Sequence, residues 1–446
     1  MRIIRSLVAL SLLALVAIPA AAQVSADALA KLEAKHQASP NSVSASRALG
    51  IAYFKNKKYA DATAVLSAAQ KQAPKDGVIA LYLGMSAEEQ GDLISARAAY
   101  TTYLDVGRTA SARADVTKRL AAVAQKELAA SAKATVANEQ KLASTPGDVR
   151  TIAVLPLSVT GGGPEMQALG RGLADLMITD LRKKRDVTVV ERDHIQALLD
   201  EIAIGQSNRV DQETAARSGR LLQAGRVVHG SLNIGAQNAL TINEAVINVS
   251  TSASTPASPA NGTLEQLFDL EKRTVLSVIE GLGFQLTAAE RNAIQVRPTQ
   301  NVQAFLAYSR GLVAQDAGRL DEAVSFFDNA RALDPRFNAA SQHSVDAHAA
   351  LQGASITTTT IESRLRTGSE GQIVNAAERG GTTSTTESSS ISATLSSALS
   401  DVNPSTADAI GRVATSVSSR DASTSTTVQD QATTRIGTLI IVIKRP

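Results

Sequence analysis

SASRALGIAYFKNKKYADATAVLSAAQKQAP occupies residues 44–74, and the same pattern returns 34 positions later as VIALYLGMSAEEQGDLISARAAYTTYLDVGR, residues 78–108. Leu49-Gly50 falls on Leu83-Gly84, Ala62 on Ala96, Leu66 on Tyr100 and Ala69 on Tyr103. A third copy, AFLAYSRGLVAQDAGRLDEAVSFFDNARALDP, lies at 304–335, with Gly311, Gly318, Ala323, Phe327, Ala330 and Pro335 in the matching places. The pattern has a packing reason. Gly50 and Ala62 are small, so two antiparallel helices can approach closely. Leu49, Tyr53, Leu66 and Ala69 recur at helical spacing and fill the seam. Pro74 and Pro335 end the second helix. Gly91 and Gly318 suit the turn between the helices.

This spacing resembles the tetratricopeptide repeat, a stacked pair of antiparallel helices. One pair cannot bury its own apolar face, so each block needs neighbours. Residues 25–37 and 109–132 read as helical caps for the first block and 338–351 for the last, giving helical segments at 25–140 and 301–350. The resemblance implies peptide or protein binding on the concave helix faces. On the first helices, Arg47, Ile51, Phe54, Leu81, Met85 and Glu88 lie away from the seam and are the candidate protein-binding residues. The plainer reading of the same six is solenoid surface or interdomain packing.

Residues 148–296 change character. A β-rich run at 150–157 leads to the glycines at 161–163. An amphipathic helix follows at 166–184, with Leu169, Leu173, Leu176, Met177 and Leu181 on one face. A strand at 187–192 precedes helices at 193–204 and 211–222, the latter with Asp211 as N-cap. Runs at 226–234 and 240–249 alternate as a hairpin around 235–238. A helix over 264–281 closes the unit. This order predicts a mixed sheet covered by helices, within a chain that is α+β and multidomain.

The blocks IAVLPL, LGRGLADLMITDLRK (169–183), VTVVERDHIQALLDE (187–201) and GQSNRVDQETAARSGRLLQAGRVVHGSL (205–232) together resemble the curli-assembly/transport family, the CsgG-type periplasmic domain. That resemblance implies a mixed α/β envelope domain, a tendency to form homo-oligomeric rings and no catalytic activity. Secretion-pore members are lipoproteins that thread long amphipathic hairpins through the outer membrane. This chain has no Cys to lipidate. Its connection at 235–238 is short, and the other candidate insertion, STSASTPASPANG at 250–262, is polar and contains Pro. Neither supplies the ~9–11 alternating residues of a membrane strand.

Chemistry-bearing patterns are sparse. The glycines at 161–163 lack a following GK[ST], so a phosphate loop is a poor fit. Gly170-x-Gly172 lies inside a helix, where small residues allow close packing. Asp175 and Asp180 point to different helix faces. His36, His194, His229, His343 and His348 are scattered, and no metal-ligand spacing appears. No catalytic residue, metal or cofactor is assigned. Zero Cys excludes disulfides, thiolate zinc sites and cysteine nucleophiles. With 45 Lys+Arg against 42 Asp+Glu and 3% aromatics, charge and stacking give no case for nucleic acid.

Residues 1–22 read as a secretory signal, with Arg2 and Arg5, an apolar core and Ala20-x-Ala22. The expected location is therefore the periplasm or the outer-membrane surface, with peripheral membrane association open. Residues 351–435 are rich in Ser and Thr and read as a disordered low-complexity linker; Ile391, Leu395 and Leu399 are spaced for one short helix. GTLIIVIKRP, within the terminal segment 436–446, is strand-like. The expected role is a non-enzymatic envelope scaffold or assembly factor that binds envelope or secreted proteins through its repeats. The alternatives are a subunit of an outer-membrane secretion channel and a periplasmic enzyme or ligand-binding module.

Overall fold

The computed structural model describes residues 23–142, 147–202 and 211–378. The signal segment 1–22, part of the block at 203–210, the rest of the Ser/Thr-rich linker with the helix expected at Ile391, Leu395 and Leu399, and the terminal strand 436–446 lie outside the described residues.

Six helices open the fold: α1 (Ala26–Ala38), α2 (Val43–Lys55), α3 (Tyr59–Gln72), α4 (Gly77–Glu89), α5 (Leu93–Val106) and α6 (Ala110–Ala137). The pairs α2/α3 and α4/α5 are the first two repeats. Later, α13 (Val302–Asp316) and α14 (Leu320–Leu333) form the third, followed by α15 (Asn338–Ser355). One small-against-large contact recurs in all three. A Cβ on Gly50 would sit 2.4 Å from Leu66, one on Gly84 2.7 Å from Tyr100, and one on Gly311 2.5 Å from Phe327. Each glycine is thus filled by the residue sixteen positions on, which closes the seam at core density. Ala62, Ala96 and Ala323 are fully buried beside these contacts. The turns confirm their glycines: Gly91 and Gly318 have φ of +77° and +69°. The equivalent position in the first repeat is Lys57, at φ +58°, a conformation that costs a side chain energy.

The short α7 (Glu139–Leu142) leads into the sheet domain. Its strands are β1 (Asp148–Val154), β2 (Ser158–Gly161), β3 (Thr188–Val189), β4 (Ala224–Ile234), β5 (Ala239–Asn248), β6 (Ser254–Pro256) and β7 (Ala260–Thr263). The order is β3-β1-β4-β5-β6, with β2 also on β4 and β7 also on β5. β1, β2 and β3 enter by parallel pairing, whereas β4, β5, β6 and β7 pair antiparallel, with Ile234 opposite Leu240 at the hairpin turn. The mixed sheet expected from the sequence is present.

Helices α8 (Leu169–Leu181), α9 (Arg192–Glu201), α10 (Gln212–Leu221), α11 (Leu267–Gly281) and α12 (Ala288–Ile294) accompany the strands. Asp211 caps α10, its Oδ1 accepting from Thr214 N at 2.8 Å. The Gly170-x-Gly172 pair serves packing. A Cβ at Gly170 would lie 2.1 Å from the Leu157 carbonyl oxygen, and one at Gly172 2.0 Å from Ser309 Oγ of α13.

Three expectations change. The strand read at 187–192 is only Thr188–Val189. The polar stretch 250–262 forms β6 and β7, short strands that fold back onto β5. The linker read at 351–435 is not irregular over its first part, where α15 runs to Ser355 and is followed by α16 (Thr358–Thr367) and α17 (Gly371–Glu378). Composition misled here because the apolar residues are few but correctly spaced: Ile361 and Leu365 are fully buried, as is Val374.

The described residues hold two apolar cores. One joins the sheet, α8 and α11 to α13, α14 and α15, with Phe268 of α11 edge-on to Phe305 of α13 at 5.4 Å. The other joins α1 to α6 with Ile356, Ile361, Leu365, Val374 and Ala377. The chain therefore returns to its first repeats after leaving the third. Helix α6 is the junction: it packs on α5, on α9, on α15 and on α16. Gly353 of α15 permits this approach, since a Cβ there would be 2.0 Å from the Lys118 carbonyl oxygen. The sheet domain thus lies between the repeat blocks in sequence, while the blocks themselves touch through α6 and α15.

Candidate functional site

The first helices α2 and α4, with α6 beside them, form the face on which partner binding was expected. In the structure, α16 and α17 lie against it. Two carboxylates anchor them. Glu362 of α16 accepts a hydrogen bond from Tyr82 Oη at 2.9 Å, and its Oε1 is 3.7 Å from Lys55 Nζ. Glu370, just before α17, accepts from Thr109 N at 3.0 Å and from Tyr103 Oη at 3.2 Å. Thr109 is the N-cap of α6, so this carboxylate meets the positive end of a long helix. A Cβ on Gly77, the first residue of α4, would lie 2.7 Å from Glu370 Oε1. Glycine therefore leaves room for the carboxylate between two helix starts. Both acids are buried at 4% exposure, where an unpaired charge would be costly.

The surroundings respond to these charges. Burial, and then Glu362, push the Tyr82 hydroxyl well above its ordinary value, so it remains a donor. Burial and Glu370 do the same to Tyr103. Burial pushes the Lys55 ammonium down, and Glu362 partly opposes that shift. At the rim, Thr358 Oγ1 donates to Glu89 at 2.6 Å, and Arg364 lies 3.6 Å from Asp115 of α6.

The six residues singled out from the sequence fall on or beside this face, but not as open surface. Ile51, Phe54, Leu81 and Met85 are buried in the second core. Arg47 binds Asp76 at 2.5 Å, and Asp76 in turn caps α4 through Ile79 N. Glu88 pairs with Arg119 of α6 and accepts from Tyr100 Oη at 2.7 Å. The residues that hold the segment, Lys55, Tyr82, Tyr103 and Thr109, were not singled out. Their signal was faint, because each reads as an ordinary repeat residue until Glu362 and Glu370 are placed beside it.

Other charged groups join elements to one another. Arg192, opening α9, pairs with Asp316 of α13 and with Asp193 at 2.6 Å, and lies 3.9 Å from Asp175 of α8. Burial opposes its charge, but the three carboxylates outweigh that and hold it above its ordinary value. Tyr308 donates to Asp175 at 2.6 Å. This network ties the sheet domain to the third repeat. Asp180 instead binds Lys272 at 2.5 Å and Lys183 at 2.6 Å, so the two aspartates of α8 do face different partners. His343 and His348 contact Gln315 and Asp328 respectively. Among the described residues, no three His, Cys, Asp or Glu side chains gather as a metal-holding group, and no helix is long and apolar enough to cross a membrane.

Comparison with known families fits this geometry. Residues 21–85 match the tetratricopeptide repeat, covering α1 to most of α4. Residues 132–236 match the curli production assembly/transport component CsgG, from the last turns of α6 to the β4–β5 turn. The chain matches no curated protein. The protein thus carries a tetratricopeptide repeat N-terminal to a domain of the curli production assembly/transport component type.

Proposed function

We propose that this protein is a non-enzymatic scaffold or assembly factor of the cell envelope, of the curli-assembly/transport kind, which docks envelope or secreted proteins on its repeat helices. The observation that carries this reading is the first-helix face itself. It holds a peptide segment of two short helices through buried apolar side chains and two carboxylates. A surface built this way recognises helical segments. The sheet domain supplies the family's scaffold and its assembly surface, including the capacity to self-associate. The short returns of β6 and β7 onto β5 favour this role over that of a channel subunit, which needs long hairpins at such connections.

Cell fractionation tests the reading. After separating periplasm from outer membrane, the membranes are washed with high salt and then at alkaline pH. A scaffold is recovered in the periplasm or released by these washes. Retention until detergent is added overturns the reading in favour of a channel subunit.

A further inference from the structure

We propose that α16 and α17 are a resident, displaceable ligand of the repeat face, and that its partner is an amphipathic helical segment with two carboxylates spaced like Glu362 and Glu370. This deepens the scaffold reading and rests on it.

The resident segment differs from a permanent repeat helix in several ways. α16 has 10 residues and α17 has 8, lengths at which helices are marginal without tertiary support. α16 opens with consecutive threonines and neither helix repeats the Gly-to-large contact of the repeats. Its attachment is polar at both ends. Glu362 is held by Tyr82 and Lys55, and Glu370 by Tyr103 and the Thr109 amide. Ile361 and Leu365, one helical turn apart, are buried on either side of Glu362 in the sequence, with Val374 buried beyond Glu370. Such a contact is assembled from one face of a short amphipathic element, which another chain can present equally well.

The holding groups also define what fits. Lys55 and Tyr82 present an ammonium and a hydroxyl donor at one end. At the other, Tyr103 Oη and the Thr109 N–H donate to the carboxylate, and Gly77 leaves space for it. A lysine would set a second ammonium against Lys55 at the first position and a donor against the Thr109 N–H at the second, and an amide would bring one acceptor oxygen but no charge to answer Lys55. The site therefore selects acidic, amphipathic helices. Because the resident copy is tethered, its effective concentration is of millimolar order. A free segment of equal intrinsic affinity would bind the intact chain only weakly.

The test uses the full-length chain and a fluorescein-labelled peptide with the sequence of residues 356–377. Binding is followed by anisotropy for the unaltered chain and for the double variant Glu362→Lys, Glu370→Lys, which expels the resident copy while leaving the face intact. The peptide should bind the variant at least tenfold more tightly than the unaltered chain. Equal affinity, or no binding to either, overturns the proposal. Hydrogen exchange on the unaltered chain is a second arm that needs no variant. Amides of α16 and α17 should be at least tenfold less protected than those of α4. Equal protection means one cooperative unit and overturns displaceability. If the variant binds the peptide yet captures no envelope protein, displacement stands and the scaffold reading falls.

Discussion

Replacing Gly353 with alanine probes the joint between the two repeat blocks. In α15, a Cβ at this position would lie 2.0 Å from the Lys118 carbonyl oxygen and 2.6 Å from the Lys118 carbonyl carbon, whereas ordinary contacts begin at 3.4 Å. The obstacle is backbone of α6, so no side chain can swing aside. The helices must part by more than an ångström, disturbing the Arg119 bond to the Gly353 carbonyl and, through Arg119, the pair with Glu88. Alanine gains about 1 kcal/mol of helix propensity over glycine. Forced overpacking costs about 1–3 kcal/mol and more against rigid backbone, so the expected net loss is about 2 kcal/mol. Urea unfolding followed by circular dichroism measures it. Gly281→Ala is the matched control, because its added Cβ would meet Val246 at an ordinary 3.6 Å. That control should be neutral or slightly stabilising. If Gly353→Ala is as stable as the parent, α15 does not dock on α6 as described.

Lys57→Gly should stabilise the chain by roughly 0.5–1 kcal/mol, read as a raised melting temperature, since Lys57 holds the left-handed turn that Gly91 and Gly318 occupy in the other repeats. Arg192→Met should cost about 1–3 kcal/mol, less than a wholly unpaired buried charge, because Asp316 loses Arg192 but keeps Arg171 at 3.0 Å, and limited proteolysis should then cut between sheet domain and third repeat. Glu244 of β5 is buried without a hydrogen bond to its carboxyl, and Glu271 of α11 is buried with its Oε2 3.1 Å from Lys272 Nζ. Burial and Glu271 push Glu244 up; burial and Asp180 push Glu271 up to about 8, against the pull of Lys272. The folded state thus keeps protons that the unfolded chain releases, so this contribution to stability is full below about pH 4.5 and is lost as pH rises toward about 8. Melting temperatures should fall between about pH 4.5 and 8, and Glu244→Gln should flatten that fall; an unchanged slope would mean the pair is not protonated in the fold.

The repeats were legible because one contact encodes them. Gly50, Gly84 and Gly311 each face a large residue sixteen positions later, a signal within one helix pair. The alternation of β4 and β5 and the Asp211 cap were equally local. The edge strands were not. β2, β6 and β7 are Ser, Thr, Gly and Pro-bearing pieces of three or four residues, and their pairing is dictated by the open edges of β4 and β5. The carboxylates of α16 and the following turn were hidden for another reason. Glu362 and Glu370 look like solvated charges in a Ser/Thr-rich stretch, and what makes them anchors is a set of donors more than 250 positions away. Arg47 and Glu88 show the converse: exposed-looking charges on the expected binding face that Asp76 and Arg119 consume.

The central claim is that the repeat face is a docking site whose occupant can change. Glu89 is the place to test it, since it is exposed and touches Thr358. A photo-reactive residue at position 89 is installed in the full chain, with and without Glu362→Lys and Glu370→Lys, and illuminated in intact cells. The account predicts an intramolecular cross-link to the α16 region in the parent, and a cross-link to a separate polypeptide bearing an acidic amphipathic helix in the released variant. An intramolecular cross-link to α16 in both, or no separate polypeptide in the released variant, would contradict it.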